Sequence, residues 1–372
     1  MSEIKNNPSN WKLFSSGVVL YGLAYIASIE SPYYAQLLSG TRLDFSSLNQ
    51  VFQTPLEFFF SVFGHTGAEM LRTFFIIYLL KSIWQYLVTY RGKQAPITRP
   101  YRLWVSLVKI LRNHVDLIKG RIKPFSPKNP LGQEEKINLL YFGVKFFYLP
   151  LLVSFAYGNL GGFIGDTLRL PTVSFLNGGA QQQWFFTLVD GMFLVDVVLF
   201  VIGYLTEFAN KSVVRSVEPT VLGWVVALMC YPPFNGITAN YLPWSIPSYA
   251  VFFNSQSITN GFLVVMVLLY LIYVSASVAL NLKASNLTNR GIVMKGPYAI
   301  VRHPAYISKN LVWFLMTLPA ILSGNFAALV TILFWIGIYY LRSITEERHL
   351  MQDPDYIEYC KKVRYRFIPG IF

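Results

Sequence analysis

The segment GPYAIVRHPAYISKN, from Gly296 to Asn310, brings Tyr298, Arg302, His303 and Tyr306 within a few residues of one another. The acidic pair Glu346-Glu347 begins 44 positions after Arg302, and His303 and His349, two of the four histidines, fall in these two stretches. Arg302 offers a planar fork for a carboxylate or phosphate. His303 can give or take a proton near neutral pH. Adjacent carboxylates can accept hydrogen bonds from hydroxyl groups or offset a cation. Together these groups could hold a charged, nucleotide-like ligand beside lipid. A plainer reading also exists, because Arg, Lys and His at helix ends commonly snorkel to the membrane surface, and Glu346 can pair with Arg342 or Arg348.

Those residues must be positioned by membrane helices. The chain has 372 residues, of which 54% are hydrophobic, 17% aromatic and 13% charged. Soluble domains carry about 25% charged residues. The apolar residues fall in blocks near the roughly 20 residues that cross a bilayer. The fold class expected is all-α, a polytopic helical membrane protein of about eight transmembrane helices. The spans read as 11–29, 66–90, 137–157, 184–206, 217–234, 259–281, 305–323 and 325–343. The fifth is short and ends at Pro232-Pro233, a helix-breaking pair. The segment 51–63, with Glu57, is too short to span and reads as interfacial or re-entrant. No small-residue cleavage site follows the first apolar stretch, so a retained helix is expected there. Two regions are expected: residues 1–210, an N-terminal transmembrane region with no assigned role, and 211–372, which carries the chemistry.

Charge orients the helices. With the N-terminus in the cytoplasm and eight crossings, 25 of the 31 Lys and Arg residues fall in inner segments or, as Lys12 and Arg342 do, at the inner end of a span, and Arg42 and Arg169 alone fall in outer segments. That asymmetry places both termini in the cytoplasm of a bacterial inner membrane or an endoplasmic-reticulum-like membrane. The net charge of +13 reads as basic loops facing anionic lipid rather than as nucleic-acid binding. Within the basic loop 91–136, Tyr101 to Ile118 interleaves Arg102, Lys109 and Arg112 with leucines at helical spacing. This predicts an amphipathic helix on the inner leaflet, or a dock for an anionic partner. The outer loop 235–258 has no charge, and its Tyr241, Trp244 and Tyr249 suit an interfacial belt. The glycines Gly158, Gly161, Gly162 and Gly165 read as a loop on the outer side. Cys230 and Cys360 match no metal or disulfide spacing.

The last two spans each measure about 25–29 Å at 1.5 Å per residue and turn at Ser323-Gly324-Asn325. The hairpin therefore returns Glu346 and Glu347 to the membrane face that holds Arg302 and His303.

The pattern Gly296-Pro297-Tyr298, then Arg302-His303-Pro304 and Tyr306, resembles the signature of integral-membrane methyltransferases, among them isoprenylcysteine carboxyl methyltransferases and phospholipid methyltransferases. Glu346, Glu347 and Leu350 look like their second motif. Tyr356 and Tyr359 through Arg366-Phe367-Ile368-Pro369 look like their closing segment. The resemblance covers about residues 259–372. It implies S-adenosylmethionine as cofactor, bound by Tyr298, His303, Pro304, Tyr306, Glu346, Glu347, Leu350 and Tyr356, with Arg302 orienting the cofactor's carboxylate or an anionic acceptor. Arg302, His303 and Glu346 are the candidates for catalysis, and the acceptor would be lipophilic or lipid-anchored. No G-x-G-x-x-G follows a strand, in keeping with a cofactor site outside a Rossmann fold. The chain departs from the pattern at Ser308, where glycine is common, and at Lys309, a cation inside a span that either serves the site or snorkels. Asp190 and Asp196 sit on different faces of one helix, and pairing with Lys145 or Lys81 is their plain reading. The tail from Tyr359 to Phe372 also looks like that of NADPH-dependent membrane sterol reductases, the rival enzyme reading. A transporter would explain the intramembrane charges, but no inverted repeat is present.

Overall fold

The computed structural model describes residues 8–46, 48, 50–121, 132–169, 180–205, 214–243 and 255–371. Trp244 and Tyr249 lie outside them. Contacts divide the chain into two compact units, Met1–Tyr157 and Gly158–Phe372.

In the first unit, α1 (Asn10–Glu30) and α2 (Pro32–Ser39) are followed by α3 (Gln50–Phe63), α4 (Gly67–Trp84, continuing in a π-helical turn) and α5 (Arg99–Ile118). α1 packs along α4 and α5. The start of α4 is set by a reciprocal cap: Glu69 N–H donates to Thr66 Oγ1 at 3.3 Å while Thr66 N–H donates to Glu69 Oε2 at 3.2 Å. α3 is the expected non-spanning piece, 14 residues and about 21 Å long. α5 is the expected amphipathic helix; its Arg102 and Lys109 reach Glu134 and Glu135 at 2.6 and 2.8 Å.

α6 (Gln133–Arg169) straddles the division. At 37 residues it extends about 55 Å, well past a hydrocarbon core of about 30 Å. Gly158, Gly161, Gly162 and Gly165 therefore belong to a helix, which corrects the loop expected there. Gly162 has a packing reason: a Cβ at that position would sit 2.1 Å from Asp190 Oδ2. Glycine lets α6 approach the next helix closely, as small residues do between membrane helices.

The second unit continues with α7 (Ala180–Leu205), β1 (Ser216–Val217), α8 (Val221–Leu228), α9 (Phe234–Ala239), α10 (Gln256–Leu280), β2 (Thr288–Asn289), α11 (Pro304–Leu322), α12 (Phe326–Leu350) and α13 (Pro354–Lys362). α7, α10, α11 and α12 pack in that order, the first three around Phe185, Val189, Leu263, Met266, Tyr270 and Val312. Pro304 is the first residue of α11, where its missing N–H has no partner to lose. The chain turns at Ser323 and Gly324, whose φ of 88° suits glycine, and Asn325 caps α12 through a bond from Ala328 N–H.

Among the described residues seven helices are long and apolar enough to cross a membrane. The chain is an all-α multi-pass membrane protein. The fifth expected span, 217–234, is not one helix. Its residues form β1, the eight-residue α8, a turn at Pro232-Pro233, and α9. This broken segment nevertheless runs the length of α12. Glu218 pairs with Arg348, the Tyr231 ring faces Arg342, and Pro243 C=O accepts from Thr331. Thr331 to Arg348 is about 26 Å of helix, close to a bilayer core. The hydropathy was that of a crossing, but the local chemistry of prolines and a buried acid divides it.

β1 and β2 pair antiparallel, Ser216 opposite Asn289 and Val217 opposite Thr288. Beside them Arg215 Nη1 reaches Asp353 and Asp355 at 2.8 and 2.6 Å, and Asn289 Nδ2 donates to Asp353 at 2.7 Å. Asp353 caps α13, so this cluster docks the tail helix. Burial acts to raise the Asp353 carboxyl, but the bonds from Arg215 and Asn289 outweigh it and hold it below the usual carboxylate value. A depressed folded-state value stabilises docking above the ordinary Asp value of about 3.9 and loses that contribution as pH falls through it. Amide exchange in α13 should be pH-independent in its protection from neutrality to about pH 5 and should rise below about pH 4; Asp353→Asn should abolish that acid step.

Candidate functional site

α11 and α12 form the hairpin that the polar segments require, and the closest contact is a buried cluster around Glu347. Arg302 Nε donates to Glu347 Oε1 at 2.8 Å, and Arg366 Nη2 donates to Oε2 at 2.6 Å. His303 Nε2 lies 3.0 Å from Oε1. A carboxylate can only accept, so that nitrogen carries hydrogen. Arg302 Nη1 also donates to the carbonyls of Val363 and Arg364, and the amides of Arg302 and His303 donate to the carbonyls of Tyr365 and Arg366. The tail is thus stitched to the start of α11. Glu347 is 5% exposed and His303 6%, so the Glu347 carboxylate is paired out of water.

Glu346 is one residue earlier and turns about 100° away on α12. It lines a cavity of about 140 Å³. Tyr306 donates to Glu346 Oε2 at 2.6 Å, and the rings of His303 and Tyr306 stack with centroids 5.2 Å apart and planes 11° apart. Tyr298, Arg302, Leu350, Tyr339 and Arg342 also line the cavity. Burial raises the Tyr298 hydroxyl above its usual value, so it stays a neutral donor.

On the side of the cavity toward the middle of α11, Lys309 Nζ lies 4.9 Å from the Trp313 ring centroid, 5.6 Å from Tyr273 and 5.7 Å from Tyr339. Three aromatic faces surround one cation, a recognised way to hold charge away from water. Tyr273 donates to Asp196 Oδ2 at 2.8 Å and Ser277 donates to Oδ1, so Asp196 is satisfied within the helix bundle. Ser308, the other departure from the family pattern, is buried and returns its hydroxyl to Pro304 C=O at 2.8 Å.

The expected site residues thus divide. Tyr298, Arg302, His303, Tyr306, Glu346 and Leu350 share the cavity wall. Pro304 sets the start of α11, Glu347 lies behind the wall in the ionic cluster, and Tyr356 packs with Tyr359 and Val363 in a small core under the tail. Glu346 bonds Tyr306, whereas Arg348 goes to Glu218 and Arg342 to Asn286. Glu218 and Asn286 were not anticipated from sequence, yet both line the cavity. Each keeps one buried polar atom, Glu218 Oε2 and Asn286 Nδ2, with no hydrogen-bond partner. The signal available for Glu218 was an acid standing at the edge of an apolar stretch, just before Thr220, which caps α8. Among the described residues no group of His, Cys, Asp and Glu could hold a metal ion.

No curated protein and no solved structure matches the chain. The region that holds the Arg302–Glu347 pair does match: residues 256–352, the C-terminal part of the chain from α10 through α12, fit the model of the isoprenylcysteine carboxyl methyltransferase family, and thereby a family of methyltransferases.

Proposed function

We propose that the cavity binds S-adenosylmethionine and that the protein methylates a lipophilic or lipid-anchored acceptor at the cytoplasmic membrane face. The observation that carries this reading is the concurrence of the family match with one cavity that joins Tyr298, His303, Tyr306, Glu346 and Leu350 from separate elements. The lining suits such a ligand, because it offers carboxylate, guanidinium, amide and aromatic groups together. At about 140 Å³ the cavity is smaller than the few hundred Å³ of a typical small-molecule pocket, so occupancy by a whole nucleoside requires its walls to part.

Bound there, S-adenosylmethionine supplies an activated methyl group on a sulfonium. The protein's contribution is position and dryness. The Tyr298 ring and the Glu346 carboxylate, both on the cavity wall, favour a cation in the ground state, while the faces of Tyr306 and Tyr339 are taken by His303, Lys309 and Arg342. Tyr306 fixes the Glu346 carboxylate by its hydrogen bond. His303, stacked on Tyr306, is oriented from behind by Glu347. A carboxylate, phosphate or thiolate acceptor needs no base. For an amine or hydroxyl acceptor, His303 or Glu346 is positioned to take the proton. The acceptor reaches the cavity laterally through the apolar helices. The cytoplasmic assignment rests on the distribution of Lys and Arg.

Calorimetry on the purified protein should give saturable binding of S-adenosylhomocysteine and none of NADPH; the opposite result would move the site to the reductase reading. Lipid or protein extracts from cells with the active protein should contain a species heavier by one methylene than those without it, seen by mass spectrometry.

The two adjacent glutamates should behave differently. Glu346→Gln should weaken S-adenosylhomocysteine at least about tenfold while leaving the melting temperature near that of the parent. Glu347→Gln removes the charge that holds Arg302, His303 and Arg366, and should destabilise the fold by about 3 kcal/mol or more, visible as a lower melting temperature without ligand.

A further inference from the structure

The two-residue ladder brings Glu218 and Asn286 to the wall of one cavity. Glu218 N–H donates to Leu287 C=O at 2.8 Å, continuing the β1–β2 pairing by one step, so the acid stands next to the residue that follows Asn286. Glu218 is 2% exposed and Asn286 4%.

Each side chain is fixed with one atom saturated and the other bare. Glu218 Oε1 accepts from Thr220 N–H at 3.0 Å, from the Thr220 hydroxyl, and from Arg348 Nη2 at 3.0 Å. Its Oε2 has no partner. Asn286 Oδ1 accepts from Arg342 Nη2 at 2.7 Å and the Tyr231 hydroxyl at 3.2 Å, and its backbone N–H donates to the Tyr204 hydroxyl. Two donors on one end fix the amide orientation, so the bare atom is the Nδ2 donor. A bare carboxylate oxygen and a bare amide donor, both buried, are each costly without a partner. Leu287 between Asn286 and β2 has φ 58°, a left-handed conformation that costs a branched residue energy and is common at ligand sites. The surroundings hold this arrangement despite its cost.

Both residues line the cavity, and an acceptor and a donor left without partners at its wall call for a ligand group that carries both signs. We infer that Glu218 and Asn286 are the specificity anchors for a zwitterionic α-amino-acid group, with Glu218 Oε2 taking its ammonium and Asn286 Nδ2, backed by Arg342, giving to its carboxylate. On the methyl-donor reading, on which this inference rests, that group is the amino-acid end of S-adenosylmethionine. Glu218 lies before the family match, which begins at residue 256.

The test compares two thioethers with the same nucleoside: S-adenosylhomocysteine, which has the amino-acid end, and 5′-methylthioadenosine, which lacks it. The intact protein should prefer the former by about 10- to 100-fold, the value of charged hydrogen bonds. Glu218→Gln must keep its oxygen on the three donors and so turns an NH₂ toward the ligand's ammonium. Asn286→Asp likewise turns an oxygen toward the carboxylate. Each substitution should lower affinity for S-adenosylhomocysteine about tenfold or more and leave that for 5′-methylthioadenosine unchanged. Equal affinity of the intact protein for both ligands, or equal losses for both in the variants, overturns the anchor while leaving the donor reading intact. Saturable binding of neither ligand overturns both.

Discussion

Glu347 accepts from Arg302, His303 and Arg366 in a place with almost no water. Desolvating a charge is expensive unless partners surround it, and removing one partner leaves the others exposed to that cost. The cluster therefore acts as a knot of three chain segments: the loop before α11, the end of α12 and the tail after α13. Each segment alone is polar and close to lipid. Tied together, they form a floor on which the cavity rests. The backbone bonds from Arg302 and His303 to the tail run alongside the ionic ones, so the register of the tail is set twice.

That floor decides what the neighbouring residue can do. Consecutive residues on α12 face different ways, so one glutamate is committed to the knot and the other to the cavity. His303 bridges the two. Its nitrogen points back to Glu347 while its ring lies parallel to Tyr306, whose hydroxyl holds Glu346. The ionic cluster and the cavity are thus mechanically continuous through one imidazole ring.

Much of this was legible in the sequence, for a physical reason. Twenty-residue apolar blocks have few stable alternatives to helices in lipid, so α1, α4, α6, α7, α10, α11 and α12 follow from hydropathy. Two short spans joined by Ser323-Gly324-Asn325 must return Glu347 to Arg302, and their side chains lie 2.8 Å apart. Pro232-Pro233 marked where the crossing at 217–234 must stop being one helix, but its split into β1 and α8 and its continuation through α9 to Pro243 were not legible, because hydropathy sums apolar residues without asking whether one helix can hold them. Nor was the pairing of Glu218 with the Asn286 loop, since a two-residue ladder has no period to detect. The glycines of α6 misled in the opposite sense: in water they would mark a loop, whereas here Gly162 makes room for Asp190.

The ladder also fixes how small the working part of the chain can be. Residues 256–352 define the family match, but the wall they form is incomplete without Glu218 and Gly223, and Phe200 lines it as well. Arg290 reaches back to Gly203 C=O at 2.5 Å, joining α7 to the same loop. A fragment cut at the homology boundary would expose carbonyls, an arginine and an amide that the missing segment normally satisfies. The minimal self-contained module therefore extends upstream through α7, and any chimera that grafts this domain onto another membrane anchor must carry that helix and the ladder with it.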